Sequence, residues 1–95
     1  MTIDDFQKRI EELYLERDRD RGRDRTFVWF VEEVGELARA LKGNDRENLM
    51  SEFADVFAWL STLASLEGIR LADVVAKYAP GCPKCGATPC SCPWR

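Results

Sequence analysis

The sequence contains no histidine. That excludes Ser-His-Asp triads and the Glu-x-x-His sites of di-iron bundles, both of which require imidazole at fixed places. A long apolar run is also missing: none exceeds that of Phe27 to Val31, far short of the about 18 residues a membrane span needs. No partner membrane is therefore expected. Neither sign of charge prevails, with 14 basic and 17 acidic residues giving a net charge of −3. A general nucleic-acid binder needs a basic surface excess, so no nucleic-acid partner is expected either. The segment Met1-Thr2-Ile3-Asp4-Asp5 has no basic head and no apolar stretch, so no secretory signal is read and the expected compartment is the cytoplasm.

What is present describes one globular unit. The 95 residues, 45% hydrophobic and 33% charged, match ordinary domain composition and exclude a second full domain. A chain this short buries only roughly 60–65% of its unfolded surface, so a metal, a partner subunit or both are expected to add stability.

Ile3, Phe6, Ile10, Leu13 and Tyr14 follow helical spacing from Thr2 to about Arg17, with Thr2-x-x-Asp5 as the N-terminal cap. The alternating charges from Glu16 to Arg25 predict a loop with nothing to place in a core. A second helix is predicted over Thr26 to Leu41, where Phe27, Phe30, Val31, Val34, Leu37, Ala38 and Leu41 recur at i, i+3, i+4 and i+7, and Gly43-Asn44 stops it. The longest helix is predicted between about Arg46 and Glu67, ending at Gly68, and a short one over Leu71 to Tyr78, broken by Pro80-Gly81. Beyond that point Pro, Gly and Cys dominate, and the last fourteen residues cannot be helical. With no β-alternation, the body is all-α.

The second helix carries Glu32-Glu33-Val34-Gly35-Glu36 and the third carries Glu52-Phe53-Ala54-Asp55. At about 100° per residue, Glu33 and Glu36 lie about 60° apart on one face, as do Glu52 and Asp55 on theirs. The main apolar stripe of the second helix centres on Phe30 and Val34. Trp29, Glu33, Glu36 and Ala40 form a second, half-apolar stripe, and Glu32 falls on the solvent side. Glu52 lies within the apolar sector of its helix. An unpaired carboxylate there takes up a proton or finds a positive partner. Converging carboxylates would repel one another, and a hard divalent cation such as Mg²⁺, which takes oxygen ligands and binds substrate phosphates, answers both problems. The bland reading is that these residues are ordinary surface charges.

Together, Glu32-Glu33-x-x-Glu36 and Glu52-x-x-Asp55, in the words Val-Glu-Glu-Val-Gly-Glu-Leu-Ala and Glu-Phe-Ala-Asp-Val-Phe-Ala-Trp-Leu, resemble the motif pair of the MazG-like, all-α nucleoside triphosphate pyrophosphohydrolases. The resemblance covers roughly Ile3 to Tyr78. It implies Mg²⁺ held by Glu33, Glu36, Glu52 and Asp55, hydrolysis of a nucleoside triphosphate to monophosphate and pyrophosphate, and Glu32 as an accessory acid. Such chemistry needs phosphate charge neutralised and a water positioned in line. Either Glu32 or Glu36 is expected to orient or deprotonate that water.

Trp59 lies one turn beyond Asp55 and Trp29 one turn before Glu33, so either could stack on a nucleobase; both could instead fill core or a subunit interface. In the family the resemblance names, an aromatic matching Trp59 contacts the base. Lys77 matches a lysine that family members place near the phosphates, although the asparagine and arginine that follow it there are replaced here by Pro80, Gly81 and cysteines. Arg17, Arg19, Arg21, Arg23 and Arg25 could close over a triphosphate, but the interleaved acids favour a solvated linker.

Cys82-Pro-Lys-Cys85-Gly86 is a zinc-knuckle word, and Cys90-x-Cys92 completes four thiols within eleven residues. A structural Zn²⁺ is the preferred reading over disulfides, an iron–sulfur cluster or a reactive dithiol, with pairing of ligands between subunits left open. The expected organisation is a helical catalytic domain over 1–79 and a zinc-binding tail over 80–95, the bundle being completed as a homodimer or tetramer with the site beside the interface. The competing reading is a non-enzymatic helical adaptor whose zinc tail contacts protein or nucleic acid.

Overall fold

The computed structural model describes residues 1–93. Among them are four α-helices, α1 (Ile3–Arg21), α2 (Arg23–Lys42), α3 (Arg46–Leu66) and α4 (Leu71–Val74), followed by a 3₁₀ turn, Val75–Tyr78. The all-α expectation holds. Thr2 and Asp5 form a reciprocal cap at the start of α1: the Asp5 amide donates to Thr2 Oγ1 at 3.0 Å and the Thr2 amide to Asp5 Oδ2 at 2.9 Å. Asp45 caps α3 by accepting from the Asn48 amide at 3.1 Å.

The helices α2 and α3 make the principal packing contact, and α1 lies mainly against α3. As α2 advances from Trp29 to Glu33, its neighbours on α3 step back from Trp59 to Asp55. The pair is therefore an antiparallel hairpin, as its three-residue connection requires. Polar side chains join α1 to the end of α3. Fully buried Gln7 donates through Nε2 to Ser65 Oγ (3.0 Å) and the Ile69 carbonyl (2.9 Å), and accepts from the Leu71 amide at 2.8 Å. Arg70 reinforces the junction, reaching Glu11 at 2.8 Å and Asp4 at 2.9 Å.

Three expectations are corrected. The charged run from Glu16 to Arg25 is helix, broken only at Gly22, whose φ of +85° is a conformation side-chain-bearing residues rarely adopt. Nor is that run excluded from the interior. Asp18 is 4% exposed, accepting from Arg21 Nη1 at 3.0 Å and from Thr62 Oγ1 at 3.2 Å, so its charge enters the core already paired. The predicted fourth helix is a single α turn before the backbone tightens to 3₁₀ at Val75.

The third correction concerns which stripe of α2 faces the chain's own helices. Phe27 (54% exposed), Val31 (50%) and Leu41 (58%) point outward, whereas Ala40 is buried and Glu33 and Glu36 are half-buried. The half-apolar stripe meets α3; of the richer stripe Phe30 and Leu37 are half-buried, while Phe27, Val31 and Leu41 have no covering partner among the described residues. Among the described residues the buried apolar ones are Ile10, Ala40 and Leu71. Accessible area reaches 7537 Å² for 10.9 kDa, about 1,900 Å² more than a compact monomer of that mass exposes. No helix among the described residues is long and apolar enough to cross a membrane.

Candidate functional site

Glu33 on α2 and Glu52 and Asp55 on α3 each offer a carboxylate oxygen, and these oxygens lie within 4.8 Å of one another. The antiparallel register brings Glu33 opposite Asp55, and the i, i+3 spacing sets Glu52 beside it. One oxygen of the cluster, Glu52 Oε2, is buried with no hydrogen-bond partner among the described residues. Partial burial, followed by the charges of Asp55, Glu52, Glu36 and Glu32, pushes the Glu33 carboxyl above the usual carboxylate range. Converging carboxylates, one of them with an orphaned oxygen, make a donor set that fits a hard divalent cation.

The other predicted acids stand outside this group. Glu36 is half-buried on the same side of α2, with Oε2 3.7 Å from Arg39 Nη1. Glu32 is exposed on the solvent side.

One turn along the hairpin, the Trp29 and Trp59 rings stack with centroids 6.4 Å apart and planes 19° from parallel. Trp29 is 47% exposed and Trp59 half-buried, so an aromatic surface opens beside the carboxylates. Arg21 Cζ sits 4.9 Å from the Trp59 ring centroid. The same guanidinium donates to Asp18 at 3.0 Å and to Thr26 Oγ1 at 3.2 Å. Neither Asp18 nor Arg21 stands out in the charged run. The available signal was spacing: Asp18 follows Gln7, and Arg21 follows Ile10, by eleven residues, which returns each to the packed side of a helix. Lys77 lies exposed on the 3₁₀ turn, with Nζ 5.7 Å from the Tyr78 ring.

The four tail cysteines form a second cluster, their sulfurs within 4.8 Å of one another. Cys82 and Cys92 sulfurs are 3.8 Å apart, and those of Cys85 and Cys90 4.0 Å. A disulfide requires about 2.05 Å; tetrahedral thiolates at a Zn–S distance of about 2.3 Å stand about 3.8 Å apart. The amides of Cys85 and Lys84 donate to the Cys82 sulfur and lower that thiol's pKa. The Ser91 hydroxyl and amide and the Ala87 amide bring Cys85 down to about 5, while the neighbouring Cys90, Cys85 and Cys82 sulfurs push Cys92 up to about 11. Crowded sulfurs of this kind, some of them held as thiolates, are suited to a metal ion. Gly81 makes the turn possible: a Cβ there would lie 2.8 Å from the Gly86 carbonyl oxygen, at a φ of +134°.

The hairpin, both acidic motifs and Cys82 and Cys85 fall within residues 21–85, which match the family model for the MazG nucleotide pyrophosphohydrolase domain. The chain belongs to that family. It is also 35% identical over 69 residues to phosphoribosyl-ATP pyrophosphatase 1 of Rhodopseudomonas palustris, a match covering 73% of this chain. The chain spans 64% of that relative's length. The carboxylate cluster and both tryptophans lie inside the MazG match. Asp18 and most of α1 lie before it.

Proposed function

We propose that this MazG-family chain hydrolyses a nucleoside triphosphate to monophosphate and pyrophosphate with Mg²⁺ held by Glu33, Glu52 and Asp55. Glu36 serves as a further ligand from the adjacent turn. The observation that carries this reading is the convergence of those three carboxylates, one of which, Glu52, also has a buried oxygen with no partner among the described residues. Bound Mg²⁺ supplies charge neutralisation on the phosphate oxygens. The chain's own groups do the rest. Glu32 or Glu36 orients the attacking water or accepts its proton, and the Trp29–Trp59 surface receives the base. Lys77 serves as a phosphate-side contact through the flexibility of its side chain.

The catalytic unit is the helical region 1–79, acting as a homodimer or higher oligomer. The excess of about 1,900 Å² per chain is of the size an obligate interface buries. The outward stripe Phe27, Val31 and Leu41 gives a second copy's helices an apolar face to complete the bundle. The tail over 80–95 holds a structural Zn²⁺ through Cys82, Cys85, Cys90 and Cys92; its last two residues lie outside the described ones. Zinc analysis of purified protein should give one ion per chain, lost in Cys82→Ser with the helices intact.

The test is incubation of the pure protein with Mg²⁺ and a panel of nucleoside triphosphates. The name of the Rhodopseudomonas relative adds phosphoribosyl-ATP to that panel. Monophosphate and pyrophosphate in equal amounts support the reading. A protein that releases neither from any of them, with Mg²⁺ present, returns the chain to the adaptor class.

A further inference from the structure

We propose that Arg21 is a positioning residue for the nucleobase: anchored on buried Asp18, its guanidinium holds the Trp59 indole in the orientation that receives the base beside the carboxylates. The inference rests on the nucleotide-hydrolysing reading above and extends it to α1, which contributes none of the acidic cluster.

The contacts run in one line from core to surface. Asp18 is 4% exposed and shares its two oxygens between Arg21 Nη1 at 3.0 Å and Thr62 Oγ1 at 3.2 Å. Thr26, fully buried, accepts from the same Nη1 at 3.2 Å and donates to the Gly22 carbonyl at 2.7 Å. The guanidinium is thereby fixed through one nitrogen by two buried partners. Its carbon then lies 4.9 Å from the Trp59 ring centroid, and Trp59 stacks on Trp29. Trp59 is one helical turn from Asp55, and Trp29 one turn from Glu33. Indole orientation at the site is therefore set by an ion pair in the core. An indole free to turn must be ordered when a base stacks on it, and a ring already held avoids that loss.

A lysine at position 21 can still neutralise Asp18, but it has no plane to lay over an indole. Arg21→Lys thus separates charge from plane. With the full chain and Mg²⁺, the expected result is a KM for the best nucleoside triphosphate raised about tenfold, the scale of one base-stacking contact, with kcat within about twofold of wild type. Nucleotide quenching of tryptophan fluorescence, read without turnover, should shift to about tenfold higher concentration as well. Inorganic tripolyphosphate, which has no base, should inhibit both proteins equally.

If Arg21→Lys does not fold, the neutral pair Asp18→Asn with Arg21→Gln carries the same expectation. Unchanged KM and quenching in an active variant overturn the inference while leaving the hydrolase reading intact. So does tripolyphosphate inhibition weakened in step with KM, because Arg21 then acts on phosphates or on the whole fold. A wild-type protein that releases no pyrophosphate fails one level earlier and removes both.

Discussion

Replacing Glu52 with Gln should stabilise the metal-free protein while removing its response to Mg²⁺. In the absence of a cation, three carboxylates whose oxygens lie within 4.8 Å repel one another, and Glu52 Oε2 has no donor among the described residues. Two unit charges at 4.8 Å in an effective dielectric of about 20 repel by about 3.5 kcal/mol. Asp55 is exposed, so solvent screening reduces the net gain from Glu52→Gln to about 1–2 kcal/mol. For a domain of this size each kcal/mol moves Tm by about 4–8 °C. Followed by circular dichroism in excess chelator at fixed protein concentration, Glu52→Gln should therefore melt about 5–15 °C above wild type. Saturating Mg²⁺ should raise wild type, because an ion that binds only the folded state stabilises it by mass action. The variant should move little, so the order of the two melts narrows or reverses. A variant that melts at or below wild type in chelator, or gains as much from Mg²⁺, would refute the argument that these oxygens form a cation site.

Three further outcomes follow from the packing. Gln7→Leu leaves the Leu71 amide and the Ile69 carbonyl without their partner and should cost about 2–4 kcal/mol, read as a lower urea midpoint. Arg70 holds the Asp4 carboxyl below its ordinary value of 3.8. At Glu11 burial pushes upward from 4.5, but the hydrogen bonds from Arg70 and Ser65 outweigh it and the net direction is down. Both groups are depressed on folding, so their contribution is complete above about 4.5 and is lost as pH falls through the folded values. An acid titration of helicity should show that loss, and Arg70→Met should remove most of it. Gly81→Ala, whose Cβ would meet the Gly86 carbonyl at 2.8 Å, should lower zinc retention by the tail and leave the melt of the helices unchanged.

Much of this molecule is legible in the order of its residues. The α2 and α3 helices begin and end within about three residues of where apolar spacing and Gly43 or Gly68 place them. The convergence of Glu33, Glu52 and Asp55 follows from i, i+3 spacing on helices joined by a short turn. What could not be read is which of two apolar stripes an isolated helix turns toward its neighbour. Hydrophobicity favours Phe27, Val31 and Val34, yet the chain packs Ala40 inward and leaves those three exposed. The burial of Asp18 was hidden for a related reason. Its neighbours Asp20 and Asp24 are chemically identical, and apart from its eleven-residue spacing from Gln7 it is set apart by its partners, one of them, Thr62, 44 residues away.

The measurement that bears most directly on the central claim is a Mn²⁺ titration of the pure protein, with free ion followed by electron paramagnetic resonance. Wild type should bind the ion and release it to excess Mg²⁺, while Glu52→Gln and Asp55→Asn, still helical, should bind at least tenfold more weakly. Equal binding by wild type and both variants would contradict the claim that these carboxylates share a cation.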